Sequence, residues 1–169
     1  KMSGLRISPS LSLPQDSVTS TFAILAKRGV GKTHTAVVLA EEMLAAKMQT
    51  VVLDPIGVWW GLRSSKDGKG PGIPVTVLGG EHGDIPLEPT GGEVAARAVV
   101  EEGISVVFDL GLMRKGEQHR FVCDFAETLY RLNRKALHLI VDEADEFAPQ
   151  RVGPSEARMV GAMEDLVRR

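Results

Sequence analysis

Short apolar runs alternate with helical patterns of hydrophobic residues from Thr21 to the end of the chain. This order predicts βα units, and hence an α/β fold with a mainly parallel central sheet flanked by helices. The predicted strands cover residues 22–26, 50–53, 75–78, 104–108 and 137–141. The predicted helices cover residues 32–47, 92–102, 116–132 and 155–168, and the third carries one apolar stripe along its length.

The ends of this pattern predict the domain organisation. Residues 1–20 are rich in Ser and Pro and have no long period, which predicts a lead-in segment with a short strand near residues 5–7. Residues 21–169 are then one domain, because a chain of 169 residues with 43% hydrophobic content can bury a single core. Residues 61–74 are predicted to form a long Gly-rich loop.

A glycine-containing loop lies between the first predicted strand and the first predicted helix, in the order A-x-x-x-x-G-K-T. Gly29 and Gly31 let successive backbone N–H groups point inward, and the helix that begins at Lys32 adds its positive end to the same anion site. Lys32 is predicted to reach the β- and γ-oxygens of ATP as a catalytic residue, and the Thr33 hydroxyl to bind Mg²⁺. The predicted nucleotide-binding residues are Ala26, Lys27, Arg28, Gly29, Val30, Gly31, Lys32, Thr33 and His34.

Two acids end the last predicted strand, in the run LHLIVDEADEF. Phosphoryl transfer requires a carboxylate that holds the metal and a group that orients the attacking water. Asp142 is predicted to be the Mg²⁺ ligand, and Glu143 the base that polarises the water. Asp145 and Glu146 are interpreted as surface charges or secondary water ligands.

Two protein families carry such a pair of motifs. The string D-E-A-D from Asp142 to Asp145 resembles DEAD-box RNA helicases, but the segment after the second strand reads VVLDPIGVWWGLR instead of a P-T-R-E-L-A-like sequence. That segment resembles the HerA–FtsK superfamily of ATP-driven DNA motors, in which the second strand commonly ends in Asp, then Gly and an aromatic residue, as Asp54, Gly57 and Trp59 do here. The stretches SVVFDLGLMRKGEQHRF and VDEADEFAPQ also resemble that superfamily.

The HerA–FtsK resemblance implies a RecA-like P-loop NTPase that hydrolyses ATP to move along DNA as one subunit of a hexameric ring. It also implies an arginine supplied by the adjacent subunit, and a nuclease or another effector protein as partner. In this class a further strand with a sensor residue follows the acidic motif. We therefore expect these residues to be an incomplete motor core, whose sensor and arginine finger lie beyond Arg169.

The charge of the chain bears on nucleic-acid binding, and it favours such binding only in one loop. The net charge of −2 argues against a protein that coats nucleic acid along its whole surface. The loop from Arg63 to Lys69 is nevertheless basic, since Lys66 adds to its charge and Asp67 is its single acid. It is either a solvated loop or a loop that contacts DNA in a central channel.

Other residue types point to a cytoplasmic protein that does not enter the membrane. No apolar run approaches the length of a membrane span. Cys123 is expected to be an inert buried thiol, and the four histidines lack the spacing of a metal site. Trp59 and Trp60 either pack against the sheet edge or stack on a base.

Three other functions stay open at the level of sequence. A DEAD-box-like RNA helicase would respond to RNA rather than to duplex DNA. A P-loop kinase would need a separate lid for its acceptor, which the sequence does not indicate. A nucleotide-dependent assembly module would bind ATP and assemble with little turnover.

Overall fold

The computed structural model describes residues 4–25, 31–65, 68–154 and 156–168. Its strands are β1 (Leu5–Ser8), β2 (Leu11–Leu13), β3 (Thr50–Asp54), β4 (Thr76–Gly79), β5 (Val106–Asp109) and β6 (His138–Val141). Its helices are α1 (Lys32–Ala45), α2 (Gly92–Glu102), α3 (Lys115–Leu132) and α4 (Ala157–Val167). Short 3-10 helices cover Gln15–Thr19, Trp59–Arg63 and Ala144–Glu146.

The central sheet has four strands in the order β4-β5-β3-β6, and every neighbouring pair is parallel. All five residues of β3 are buried, as expected for a strand that lies inside a parallel sheet with both faces covered. The α/β fold with a parallel sheet between helices is therefore confirmed, and it is consistent with a RecA-like P-loop fold. None of the helices in the described ranges is long and apolar enough to cross a membrane.

Two layers of side chains cover the two faces of this sheet. Successive side chains of a strand point to opposite faces, so Val51 and Leu53 pack against α2, α3 and α4, while Val52 packs on the side of α1. The α1 side also buries Trp59 and Leu62 from the 3-10 helix that follows β3. The two faces thus have different neighbours, and the face toward α1 is the one beside the predicted phosphate loop.

The lead-in segment folds onto α1. Strands β1 and β2 form an antiparallel pair, and Leu5 packs with Leu39 and Met43 of α1 in a small apolar cluster. The Glu42 carboxylate also accepts a hydrogen bond from the backbone N–H of Arg6 at 2.8 Å. The short strand predicted near residues 5–7 is confirmed, whereas the domain boundary after residue 20 stays a prediction.

The strand predicted over residues 22–26 is not formed in the part that the structure describes. Residues 21–25 carry no strand, and residue 26 lies outside the described ranges. Phe22 and Leu25 are 49% and 88% exposed. In the described sheet β6 is an edge strand, and residues 21–25 do not pair with its free edge, so this apolar run lacks the cross-strand hydrogen bonds that would make it a strand. The expected incompleteness of the core stays a prediction.

Candidate nucleotide and metal site

The N terminus of α1 begins where the phosphate-loop motif predicts. Gly31 is its N-cap residue, with a left-handed φ of 94° that favours glycine, and no acidic side chain occupies the first turn. Lys32 and Thr33 are half-buried, while His34 is exposed. The free N–H groups and the dipole at such an end attract anions. The predicted loop residues Ala26, Lys27, Arg28, Gly29 and Val30 lie outside the described residues.

Asp142 follows the end of β6 on the side of the sheet that faces α1. Ile140 packs with the α1-side cluster, and strand alternation gives Asp142 the same direction. The Asp142 carboxylate accepts two hydrogen bonds, one from the backbone N–H of Glu143 at 3.0 Å and one from the indole N–H of Trp59 at 2.9 Å. It is half-buried and keeps further lone pairs for a ligand.

Glu143 adopts a backbone conformation that its residue type disfavours. Its φ of 45° and ψ of 49° lie in the left-handed region, which costs a residue with a Cβ about 1–2 kcal/mol. The fully buried Phe147 anchors the segment that follows, and it packs on the α2–α4 side of the sheet. Strain of this kind concentrates at functional sites, which agrees with the role predicted for Glu143.

A second aspartate, Asp54, ends the neighbouring strand β3, and its carboxylate is fully occupied. One oxygen accepts the backbone N–H groups of Ile56 at 3.1 Å and Gly57 at 2.8 Å, and the other accepts those of Val58 at 2.7 Å and Trp59 at 2.8 Å. The residue is 0% exposed. Burial raises the pKa of Asp54 above its ordinary 3.8, against the opposing effect of these hydrogen bonds.

Gly57 fits this turn for two reasons. Its φ is 82°, and a Cβ there would meet a carboxylate oxygen of Asp109 at 2.9 Å. Sequence reasoning named Asp54, Gly57 and Trp59 as a family motif without giving Asp54 a role. An Asp followed closely by Pro and Gly is a turn signal, because its carboxylate can accept backbone N–H groups a few residues later, and that signal could have identified the role.

The two tryptophans that follow β3 differ in their surroundings. Trp59 is 0% exposed and belongs to the cluster that α1 covers with Ala36, Val37 and Ala40. Of its two predicted alternatives, packing is therefore confirmed and stacking on a base is excluded. Trp60 is half-buried, and its ring lies 4.0 Å from that of His82.

The basic loop, predicted to be either solvated or in contact with DNA, begins at an ion pair. Arg63 contacts the carboxylate of Asp84 at 2.9 Å, and both side chains are exposed. Asp84 is in turn held by the backbone N–H of Val77 at 3.1 Å. The start of the loop is thus fixed to the connection after β4, whereas Lys66 and Asp67 lie outside the described residues.

The residues at the α1 and β6 ends fit Mg²⁺ chemically. Mg²⁺ prefers oxygen ligands and keeps several waters, so one hydroxyl from Thr33 and one carboxylate from Asp142 are a suitable pair.

A different cluster, made of Cys123, Asp124 and Glu127, also brings potential metal-ligand atoms together, but Arg158 forms ion pairs with both of its carboxylates. Burial raises the pKa of the Cys123 thiol to about 11, in agreement with an inert buried thiol.

Comparison with known proteins gives one family. The family model described as "Helicase HerA, central domain" matches residues 6–68, a little over a third of the chain. The matched part includes the phosphate loop and the β3 tip, but not the acidic motif after β6. Neither the curated proteins nor the solved structures gave a match. The match to the HerA central domain, together with the parallel sheet, supports membership of this chain in the HerA-like superfamily of P-loop ATPases.

Proposed function

We propose that this chain binds Mg-ATP between the N terminus of α1 and the tip of β6, and that it hydrolyses the nucleotide. The observation that carries the proposal is the acid pair at β6. Asp142 is directed to the α1 side of a parallel sheet, and Glu143 follows it in a strained left-handed conformation. Ligands of open parallel sheets bind at this carboxyl end of the strands.

Each residue has a distinct task in this proposal. Lys32 neutralises charge on the β- and γ-phosphate oxygens, and the uncapped N–H groups of α1 bind the same phosphates. Thr33 and Asp142 hold Mg²⁺, which supplies charge neutralisation at the phosphates when it is bound. Glu143 accepts a proton from the attacking water, whose oxygen forms the new bond to the γ-phosphorus. The bond from that phosphorus to the bridging oxygen breaks, and ADP leaves with the electron pair.

The finer proposal is that hydrolysis drives movement along DNA. The similarity to a helicase central domain supports it, as does the basic sequence from Arg63 to Lys69. The working form is a ring of copies, a hexamer, in which a neighbouring subunit supplies an arginine. Such an arginine can contribute about 10³–10⁵ in rate, so the separated subunit is expected to be a weak enzyme. The setting is the cytoplasm, with a nuclease or another effector as partner.

The decisive experiment measures ATP turnover over a range of protein concentrations, with duplex DNA, with RNA and without nucleic acid. Lys32→Ala and Glu143→Gln are the test variants, and Glu101→Gln on the exposed end of α2 is the matched control. We expect turnover that rises faster than linearly with protein concentration, increases with DNA and is lost in both test variants.

Other outcomes would replace parts of the proposal. Stimulation by RNA alone would favour a DEAD-box-like helicase. Tight ATP binding with negligible turnover at every concentration would favour an assembly module. Turnover that survives Lys32→Ala would contradict the proposed site itself.

A further inference from the structure

Trp59 connects the two parts of the proposed site. Its indole N–H donates to the Asp142 carboxylate at 2.9 Å, across 83 positions of sequence. Trp59 is 0% exposed and belongs to the core cluster that also contains Ala40 of α1 and packs against Val37 of that helix. One side chain therefore lies in the core beneath α1 and also binds the acid predicted to hold the metal.

The position of Trp59 is fixed from its backbone. Its own N–H donates to Asp54 at 2.8 Å, in the turn that the buried Asp54 carboxylate holds with three further N–H groups. The carbonyl of Pro55 in the same turn accepts a hydrogen bond from the Gln118 side chain of α3 at 3.1 Å. The indole is thus presented to Asp142 by a rigid turn rather than by a free loop.

The position of Asp142 after an edge strand explains why a hydrogen-bond donor such as the Trp59 indole is needed to orient its carboxylate. It follows the edge strand β6, and the described sheet gives it a neighbouring strand on one side only. The Glu143 N–H fixes one carboxylate oxygen, and the indole N–H fixes the other. Two donors on different oxygens define the plane of the carboxylate, whereas one donor leaves it free to rotate.

We propose that Trp59 is a positioning residue for Asp142, which orients the carboxylate for the Mg²⁺ of bound Mg-ATP. This inference rests on the proposed function. Groups that hydrogen-bond to a metal ligand typically change metal affinity by about 10–100-fold when they are removed. Trp59 also fills the α1-side core, but a phenylalanine fills most of the same volume, so packing and orientation can be separated.

The first test compares Trp59→Phe with Trp60→Phe. Binding of a fluorescent ATP analogue is titrated with Mg²⁺, and is also measured in EDTA without metal. We expect Trp59→Phe to raise the Mg²⁺ concentration at half-saturation about tenfold, while metal-free nucleotide binding changes by less than about twofold. Trp60→Phe should change neither quantity, because its ring lies against that of His82 at an angle of 33° and the indole bond to Asp142 comes from Trp59. A purely packing role would lower both kinds of binding in Trp59→Phe, and that result would overturn the proposal.

A double-mutant cycle gives the second test. In an Asp142→Ala background, Trp59→Phe should produce no further shift in the Mg²⁺ requirement, because the carboxylate that it orients has been removed. Additive effects would contradict the proposal. An unchanged Mg²⁺ requirement in Trp59→Phe alone would overturn the proposal while the proposed ATPase function stands. Nucleotide binding by the wild type that does not depend on Mg²⁺ would overturn both.

A third measurement is independent of nucleotide and of the stability of Trp59→Phe. The chain has two tryptophans, so its ¹⁵N spectrum should contain two indole N–H signals. Asp142→Ala removes the acceptor, so it should shift the signal of Trp59 and leave that of Trp60 in place. An unshifted Trp59 signal would show that the hydrogen bond is not formed, and would overturn the proposal.

Discussion

The tips of β3 and β6 both carry an aspartate, but the two aspartates have different surroundings. The two strands are parallel neighbours, and each is followed or ended by an aspartate. The carboxylate of Asp54 is fully buried and accepts four backbone N–H groups, so it has no capacity for another ligand. The carboxylate of Asp142 is half-buried and accepts two hydrogen bonds. The first is an internal anchor for a turn, and the second keeps acceptor capacity for a metal ion.

The backbone after each aspartate extends this contrast. After Asp54, the residue with a positive φ is Gly57, for which the left-handed conformation costs little. After Asp142, the residue with a positive φ is Glu143, which has a Cβ. A tip that serves stability uses a glycine, whereas the tip predicted to serve catalysis keeps a carboxylate in spite of strain. The number of hydrogen-bond donors on each carboxylate, rather than its place at a strand end, therefore separates the anchor Asp54 from the predicted metal ligand Asp142.

The largest effect that would test this comparison is on catalysis. Glu143→Gln removes the predicted base and should lower the ATP turnover rate by at least about 10²-fold, because general-base catalysis typically contributes 10²–10⁴. Glu101→Gln should leave the rate within about twofold. The measurement is phosphate release at saturating Mg-ATP. Comparable rates in the two variants would remove the distinction between the β6 tip and an ordinary surface acid.

The next effect is on stability and should fall on the other tip. In Asp54→Asn the amide nitrogen replaces one acceptor, which leaves two backbone N–H groups buried without a partner, so the free energy of unfolding should fall by about 3 kcal/mol. Asp142→Asn should lower it by about 1 kcal/mol or less, because the carboxylate is half-buried and accepts fewer bonds. Urea denaturation of both variants measures the difference. Equal losses would mean that Asp54 is not the stronger anchor.

Backbone strain gives a smaller effect of opposite sign. Lys47, two residues after the end of α1, has a φ of 58°, so the described residues include a second non-glycine residue in the left-handed region, away from the proposed site. Glycine relieves about 1–2 kcal/mol of strain at such a position and adds about 0.5–1 kcal/mol of entropic cost, so Lys47→Gly and Glu143→Gly should each raise the free energy of unfolding by roughly 0.5–1 kcal/mol.

Activity should separate these two glycine variants. Lys47→Gly should keep its ATP turnover, whereas Glu143→Gly should lose it while becoming more stable. Glu143→Ala is the matched control, since it removes the carboxylate but retains the strain and should not be stabilised. A Glu143→Gly variant that is no more stable than Glu143→Ala would show that Glu143 is not strained.

The smallest effect concerns pH and the opposite end of β6. Burial lowers the pKa of His138 from its ordinary 6.5, so the unfolded chain binds a proton there at a higher pH than the folded chain. Stability from this residue is therefore present above pH 6.5 and is lost as the pH falls through the folded pKa. The free energy of unfolding of His138→Leu, measured by denaturation at pH 7.5 and 5.5, should depend less on pH than that of the wild type. Identical slopes would contradict the prediction.

Much of the fold follows from local patterns. The apolar runs predicted β3, β4, β5 and β6 to within a few residues. The predicted bounds of α2, Gly92 and Glu102, are those that the structure shows. The exception is the apolar run at residues 22–25, where the pattern is that of a strand but no strand of the described sheet pairs with it. Periodicity reports which residues are suited to burial, and it does not report whether a partner strand is in place.

Most of the order of elements, the start of α1 at Lys32 and the acids that follow β6 can be predicted from the sequence, because these depend on local periodicity, glycine conformation and motif spacing. The role of Asp54 as an anchor, the strain at Glu143 and the hydrogen bond from Trp59 to Asp142 become visible only in the fold. A carboxylate at a strand end has the same local signature in either role. What distinguishes the roles is the set of donors that the fold brings to each oxygen, and the Trp59 donor comes from 83 positions away in sequence.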